Sequence, residues 1–338
     1  MESHGKCRRI RLVTGATGAV GPRVVEALHK AGRRIRVFAL DPPGLGTLPP
    51  DVEVHLGDIT EPSAIRSAMQ DVEAVIHMAA LLHVLNPPPE MQAQYERINV
   101  GGTAAVVGAA VQAGVRRVVF FSTIAVYGGS RGQVLNEGTP ACPDTCYAKT
   151  KLAAEEIVLG ARRSDGQPIG TVLRLGAVYG SRIKGNYRRL LDLLARRRFV
   201  AVGDGQNRRT LVYDRDVARA AVLAADHPAA AGRIYNVTDG RMHIMNEIVE
   251  TMCYALGRTP PRFRLPVGPV RLAAGVLEDA IRLLGRDCPI GRSAIDKYTE
   301  DVAVEGRRIQ AELGFRPQYD LAAGWREAIQ EMRRAGEL

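Results

Sequence analysis

The sequence predicts an α/β protein built on a doubly wound parallel sheet, with a smaller and mostly helical second part. Two observations carry this prediction. Short β-rich runs of about 5–6 residues alternate with helical runs of about 10–16 residues in the first half of the chain, as in a parallel sheet with crossover helices. Beyond residue 180 this alternation gives way to helical stretches with basic faces and to Gly/Pro turns.

The first predicted elements surround a glycine-rich turn. Residues 9–13 predict a buried strand, residues 14–21 form the turn, and residues 22–31 predict a helix. Glycines let the backbone approach a pyrophosphate closely, and a helix N-terminus offers free N–H groups and partial positive charge. We therefore expect a dinucleotide cofactor here. The residues predicted to hold it are Gly15, Gly18, Ala19, Val20 and Gly21.

The later runs predict the other strands and helices of the sheet. Further strands are expected at 34–40, 52–56, 74–77, 115–121, 170–174 and 233–237, a helix at 96–114 and a loop at 85–90. An acidic residue near the end of the second strand would bind the adenosine ribose of the cofactor, and Asp41 is the candidate. His77, at the end of a strand, is expected to be structural and not catalytic.

The change of character near residue 180 predicts two domains in a chain of 338 residues. The cofactor-binding domain is expected at 1–179 and 207–240, and the substrate-binding cap at 180–206 and 241–338. The apolar run at 265–284 has helical spacing interrupted by charged residues. It predicts a packed cap helix, and a helix lying on a membrane surface is the alternative.

The composition favours a cytoplasmic enzyme for polyanionic small molecules. The net charge of +10 comes from short, scattered Arg clusters, and not from a basic tract interleaved with aromatic residues, so nucleic acid is not an expected partner. Five Cys are few and widely spaced, which indicates reduced thiols and no metal site. No apolar span reaches about 18 residues, so we expect neither secretion nor a membrane partner.

The most informative motif is the pair Tyr147 and Lys151. On a helix, residues four apart share a face, with Cβ atoms about 5–6 Å from each other. An ammonium held beside a phenol favours the phenolate, so the pair predicts a Tyr whose pKa moves toward working pH and which exchanges a proton with an alcohol or ketone. The alternative is an exposed aromatic ring beside a solvated amine.

Taken in order, several motifs resemble the extended short-chain dehydrogenase/reductase family, in the branch of nucleotide-sugar epimerases and dehydratases. They are Thr14-Gly15-x-x-Gly18-x-x-Gly21, Asp58, Asn99, Thr123, Tyr147 and Lys151. The resemblance implies a Rossmann-type domain that binds NAD or NADP, and dimers are usual in the family, so a homodimer is expected.

The resemblance also implies roles for single residues. Asp58 and Ile59 would lie beside the adenine, Ala79 and Ala80 along the cofactor, and Asn99 would support the active-site helix as part of the cofactor site. Thr123, Tyr147 and Lys151 would form the catalytic group, in which Lys151 also binds the nicotinamide ribose. Counted from Gly32, the usual NAD-selecting acidic position falls on Ala39, so Asp41 is displaced. A carboxylate there disfavours a 2′-phosphate, and NAD is expected, with NADP left open.

Two positions next to Thr123 narrow the expected reaction. Family dehydratases carry Asp-Glu before the Val-Tyr-Gly motif, because eliminating water needs an acid and a base beside the Tyr. This sequence has Ile124 and Ala125 there, and neither side chain can move a proton. We therefore expect a 4-epimerase that transfers hydride through a 4-keto intermediate, and not a dehydratase.

On the substrate side, the resemblance implies a UDP-sugar whose diphosphate pairs with Arg209, since a planar guanidinium suits that bidentate contact. The other expected substrate contacts are Ser122, Asn186 and Arg292. Many sugar-nucleotide enzymes carry Asn where this chain has Ala177, which favours the alternatives of a 4-ketoreductase or a sterol-type alcohol dehydrogenase. A cofactor-sensing regulator without catalysis is the third possibility, and the intact Tyr147 and Lys151 argue against it.

Overall fold

The structure, a computed structural model, describes residues 10–44, 46–82, 88–283 and 291–338. Its strands are β1 (Ile10–Thr14), β2 (Arg34–Ala39), β3 (Glu53–Leu56), β4 (Val72–His77), β5 (Arg117–Thr123), β6 (Gly170–Leu175), β7 (Ala177–Tyr179), β8 (Ala201–Val202), β9 (Arg208–Arg209), β10 (Leu211–Tyr213), β11 (Arg233–Val237), β12 (His243–Ile244) and β13 (Arg264–Leu265).

The α-helices lie between and after these strands. They are α1 (Gly21–Lys30), α2 (Pro62–Ala68), α3 (Pro89–Tyr95), α4 (Thr103–Gln112), α5 (Cys146–Gly160), α6 (Asn186–Ala195), α7 (Asp214–Asp226), α8 (Met245–Leu256), α9 (Val267–Leu283), α10 (Arg292–Thr299), α11 (Arg307–Leu313) and α12 (Leu321–Arg334). A π-helical segment covers Glu96–Gly102, and short 3₁₀ turns cover Ile124–Tyr127 and Pro228–Ala230.

The central sheet has seven strands in the order β11–β6–β5–β4–β1–β2–β3, and all its neighbours pair in parallel. From β1 the chain moves outward to β2 and β3, then crosses back to β4 and continues the other way. This reversal places a topological switch between β1 and β4, where ligands of doubly wound sheets bind at the carboxyl ends of the strands. The predicted doubly wound parallel sheet is confirmed.

Both faces of this sheet are covered, because successive strand residues point to opposite sides. Val13 and Leu173 pack on one face in a core with α1, α7 and α11. Leu12 and Val172, their neighbours in sequence, pack on the other face in a core with α2, α4 and α5. Apolar residues on both sides of the inner strands therefore form two cores, one on each face of the sheet.

A third core joins the second part of the chain. It is formed by α6, α8 and α12, with Trp325 stacked on Tyr179 at 4.7 Å between ring centroids. This core contains residues of both predicted domains. Leu211 and Tyr213 of β10 belong to the predicted cofactor-binding domain, and α6, α8 and α12 belong to the predicted cap. The domain boundaries themselves stay a prediction.

Two predicted elements differ from the structure. The helix expected at 96–114 starts with the π-helical segment and becomes α4 at Thr103, with α3 leading into it from Pro89, a residue well suited to the first turn of a helix. The loop expected at 85–90 therefore ends earlier, and its residues 85–87 lie outside the described part.

Helix α9 accounts for the apolar run predicted at 265–284, whose last residue is outside the described part. Its residues Val267, Val270 and Ala274 pack in a small core with Val202 and Ile295. Its residues Leu272 and Val276 are exposed. In the described part of the chain, none of the helices is both long enough and apolar enough to cross a membrane.

The turn after β1 is fixed by a close approach to the turn after β4. Gly15 has φ of +74°, and a Cβ atom there would lie 2.6 Å from the backbone nitrogen of Ala79. Gly21, at the start of α1, would place a Cβ 2.1 Å from the carbonyl oxygen of Ala16. Both positions need glycine because backbone occupies the space of a side chain.

This geometry predicts that Gly15→Ala destabilises the protein more than Gly32→Ala. Gly32 has a similar φ of +66°, yet a Cβ there would meet no atom within 4 Å. Gly32→Ala should therefore cost only the left-handed strain of roughly 1–2 kcal/mol. Gly15→Ala should cost about 1–3 kcal/mol more, since it also overpacks the turn. The free energies of urea-induced unfolding would test this, and equal losses for the two variants would contradict it.

Candidate active site

Helix α5 carries the predicted catalytic pair into the space beside β5. The helix begins after Thr145, whose hydroxyl accepts a hydrogen bond from the backbone N–H of Ala148 at 3.2 Å. Lys151 is buried, and its Nζ lies 4.0 Å from the centroid of the Phe120 ring. Tyr147 is half-buried, with its ring 6.2 Å from that of Tyr95.

Burial changes the pKa of both residues in the direction of the neutral form. It raises the pKa of Tyr147 to about 12, and the neighbouring Tyr95 acts in the same sense. It lowers the pKa of Lys151 to about 7, while the charge of Glu155 opposes this shift. The expectation that Lys151 moves the pKa of the phenol toward working pH is therefore wrong for the protein alone, because burial raises that pKa. At neutral pH Tyr147 is a phenol, ready to donate a proton.

The hydroxyl of Thr123 lies at the end of β5. Its Oγ1 accepts a hydrogen bond from the backbone N–H of Ala125 at 3.1 Å and so caps the 3₁₀ turn that follows. The hydroxyl proton can still be donated to an oxygen of a bound molecule.

Ser122 has a different environment from the predicted substrate contact. It is buried, and its Oγ donates a hydrogen bond to the carboxylate of Glu155. Adjacent strand residues face opposite sides of a sheet, so Ser122 points under α5 while Thr123 faces the other way. This hydrogen bond gives Ser122 a partner within the protein, and a contact of Ser122 to substrate stays a prediction.

The glycine turn provides the surface on which a dinucleotide would lie. Gly15, Gly18, Ala19, Val20 and Gly21 lie together between β1 and α1. The backbone N–H of Gly18 donates to the carbonyl oxygen of Gly15 at 3.0 Å. Among the described residues, no side chain caps the N-terminus of α1. A cradle of bare backbone at a helix N-terminus fits a pyrophosphate.

The loops after β3 and β4 adjoin this cradle. The Oδ1 atom of Asp58 accepts a hydrogen bond from the backbone N–H of Thr60 at 2.8 Å, and Ile59 is buried against Gly102. Ala79 and Ala80 are half-buried beyond β4. Asp41 is exposed, two residues past the end of β2, so an Asp41 contact to the ribose stays a prediction.

Asn99 joins the loop after β4 to helix α5. Its Oδ1 accepts from the backbone N–H of Leu81 at 2.8 Å, and its Nδ2 donates to the carbonyl of Leu81 at 3.1 Å and to the hydroxyl of Thr150 at 3.3 Å. Asn99 lies in the π-helical segment, a distortion often found at functional sites. Its polar atoms bind within the protein, so this geometry gives it a supporting role in the cofactor site.

His77 is the last residue of β4. Its Nδ1 lies 2.7 Å from the hydroxyl of Thr14, and its Nε2 lies 3.0 Å from that of Thr103. Burial, assisted by the charge of Lys151, lowers the pKa of His77 to about 3, so the ring is neutral. These contacts tie β1, β4 and α4 together.

The other predicted substrate contacts lie at different places beyond residue 180. Arg209 on β9 is buried and donates to the backbone carbonyls of Lys297 and Tyr298 in the last turn of α10. Its guanidinium thus binds a helix C-terminus, where backbone carbonyls attract positive charge. The structure gives Arg209 a partner that the sequence did not indicate, and a contact to a diphosphate stays a prediction.

Asn186 and Arg292 each begin a helix. Asn186 is exposed at the start of α6 and lines a small pocket with Tyr187, Trp325 and others. Arg292 starts α10 and pairs with the carboxylate of Asp279. Since Arg209 binds the opposite end of α10, the structure does not bring Arg292 and Arg209 together.

A buried ion pair that the sequence did not indicate lies beneath the site. Glu155 of α5 accepts two hydrogen bonds from Nε of Arg174 on β6, at 3.0 and 3.1 Å, and one from its Nη2 at 2.6 Å. The available signals were a Glu one turn after Lys151 and an Arg inside an apolar strand. Among the described residues, no group of three His, Cys, Asp or Glu side chains could hold a metal ion.

Known proteins share this arrangement over most of the chain. The sequence is 27% identical to the UDP-glucose 4-epimerase of Vibrio cholerae over 336 residues, which cover 96% of this chain and 95% of that one. It is 29% identical over 267 residues to the 3-beta-hydroxysteroid dehydrogenase of Mycolicibacterium neoaurum, with 75% of this chain and 72% of that one covered.

A solved structure, MoeE5 in complex with UDP-glucose and NAD, has the same fold with a TM-score of 0.74 and 28% identity over 96% of this chain and 99% of that one. The model of the NAD dependent epimerase/dehydratase family matches residues 11–238, which include the glycine turn, Thr123, Tyr147 and Lys151. The chain therefore belongs to this family, in the epimerase branch of the extended short-chain dehydrogenases/reductases, with NAD as its cofactor.

Proposed function

We propose that this protein is a nucleotide-sugar 4-epimerase that acts on a UDP-hexose. The observation that carries the proposal is the placement of Thr123, Tyr147 and Lys151 at the carboxyl end of the sheet, next to the glycine cradle between β1 and β4. The UDP-glucose 4-epimerase of Vibrio cholerae and the UDP-glucose complex of MoeE5 support the choice of substrate class.

NAD, when bound, supplies a hydride acceptor that can return the hydride to the same carbon. The residues of the chain handle the proton and the oxygen. Thr123 would donate a hydrogen bond to the substrate oxygen, and Tyr147, in its phenolate form, would take the hydroxyl proton as the C–H hydride leaves, which gives the 4-keto intermediate. When the hydride returns to the other face, Tyr147 gives the proton back to the same oxygen.

Proton acceptance sets a requirement on Tyr147. With a pKa of about 12 the phenol holds its own proton at neutral pH, so a positive charge must stabilise the phenolate during turnover. On this chain the ammonium of Lys151, one helical turn away, is placed to do so. The catalytic pair therefore works only while Lys151 is protonated.

The neighbours of Thr123 oppose dehydration. Ile124 is buried and Ala125 is half-buried, and neither can protonate a leaving hydroxyl or remove a second proton. We propose that the reaction stops at oxidation and reduction of one carbon, so the enzyme is not a dehydratase.

A reductase of a sterol or another alcohol without a nucleotide is the second candidate. Two observations favour it: Ala177 occupies the position of a sugar-phosphate contact, and the 3-beta-hydroxysteroid dehydrogenase of Mycolicibacterium neoaurum is similar over 75% of the chain. Because Arg209 is bound to α10 in this structure, its part in holding a diphosphate is a proposal as well.

In keeping with the family, we propose that the enzyme is a homodimer, which its mass by light scattering would test.

The first prediction concerns the reaction. The purified protein should interconvert two UDP-hexoses, such as UDP-glucose and UDP-galactose, without added cofactor, because the hydride returns to its origin. Chromatography of the UDP-sugars would show this, with the Tyr147→Phe variant as the inactive control. Stoichiometric consumption of NADH by a ketosteroid, with no change in any UDP-hexose, would support the second candidate and contradict the epimerase.

The second prediction concerns Tyr147. Tyr147→Phe removes the proton-exchanging oxygen and keeps the ring, so turnover should fall by about 10²–10⁴-fold, the usual contribution of a general acid–base group. NAD affinity, measured by fluorescence titration, should change little.

The matched control for this variant is Tyr254→Phe. Tyr254 is 70% exposed on α8, and its substitution should leave turnover and stability unchanged. Unchanged turnover in Tyr147→Phe would contradict the catalytic assignment.

A further inference from the structure

A buried carboxylate lies one helical turn beyond Lys151. Glu155 is 1% exposed, and its partner Arg174 is 4% exposed. A buried charge costs several kcal/mol unless hydrogen bonds and an opposite charge offset the loss of water. Here Arg174 binds both carboxylate oxygens, and Ser122 donates to one of them. These hydrogen bonds hold the carboxylate in place.

The partners of Glu155 are themselves anchored in the sheet. The guanidinium of Arg174 lies over the ring of Tyr127 at 4.7 Å. The hydroxyl of Tyr127 donates to Oδ1 of Asn236 on β11 at 2.9 Å. The cluster thus spans β5, β6, β11 and α5, which leaves the carboxylate little freedom to move.

Several elements pack around Lys151, and one of their charged groups is a cation, the guanidinium of Arg174 on β6, which is paired with Glu155. His77 of β4 is neutral and buried, and Phe120 of β5 offers only the face of its ring. On α5 itself, Tyr147 is a neutral phenol one turn before Lys151, and Glu155 follows one turn after it. Burial drives Lys151 toward the neutral amine, and in the described part of the chain Glu155 is the group whose charge opposes this.

We propose that Glu155 is a positioning residue for proton transfer: held by Ser122 and Arg174, its carboxylate keeps Lys151 protonated and in place beside Tyr147. The inference rests on the proposed roles of Tyr147 and Lys151. A purely structural role, in which the ion pair only fastens α5 to the sheet, is the alternative. The two differ in one respect, because only the first makes the charge of Lys151 depend on Glu155.

The test is the titration of Lys151 by NMR, in the protein without substrate. The chain has only six Lys residues, so selective ¹³C labelling of their side chains gives six ¹³Cε signals, and Lys151→Arg identifies the one from Lys151. In the wild type, the midpoint of this signal should lie near pH 7. In Glu155→Gln it should fall by about one pH unit or more, as expected on losing an opposite charge nearby.

The matched control is Glu156→Gln, which removes an exposed carboxylate at the next position of the same helix and should leave the midpoint unchanged. Glu155→Asp keeps the charge but draws it back by one methylene group, so its midpoint should lie between those of the wild type and Glu155→Gln. If Glu155→Gln does not fold, Glu155→Asp carries the test alone.

An unchanged Lys151 midpoint in a folded Glu155→Gln, or in Glu155→Asp when Glu155→Gln does not fold, would overturn the proposal, whatever the loss of stability. The readout is independent of turnover. A failure to epimerise UDP-hexoses would therefore refute the proposed substrate class without bearing on Glu155.

Discussion

The removal of water from α5 is the constraint on which the site depends. Packed between β5 and the π-helical segment, Tyr147 and Lys151 lose the solvent that would favour their charged forms, and both shift toward neutrality. A site that must move a proton at neutral pH needs the opposite. The chain meets this need with charges in fixed positions. Glu155 and Arg174 form a buried pair between α5 and β6, whereas surface side chains would be flexible.

The first half of the fold was predictable from local pattern. Alternating strand and helix runs, the glycine turn and the spacing of Tyr147 and Lys151 all depend on residues close in sequence, and the structure forms these elements within a few residues of the predicted bounds. The π-helical segment was missed because periodicity alone does not distinguish it from an α-helix. The hydrogen bond of Ser122 to Glu155 was missed because only the register of β5 under α5 shows which way Ser122 points.

The unpredicted contacts are long-range in sequence. Arg209 meets carbonyls 88 and 89 residues further along the chain, and no local signal marks that pairing. Glu155 and Arg174 are 19 residues apart and meet only because α5 packs across β6. The cofactor side of the site is thus encoded locally, whereas the cap depends on how distant segments come together.

The glycine cradle between β1 and α1 limits how such a protein can change by mutation. Its surface is made of backbone atoms. The requirement that it places on the sequence is therefore glycine at positions 15 and 21. Exposed side chains such as Asn186 are under no such constraint. Variation is therefore restricted at the glycine turn and open at exposed positions beyond residue 180, which makes the latter the natural targets for laboratory evolution.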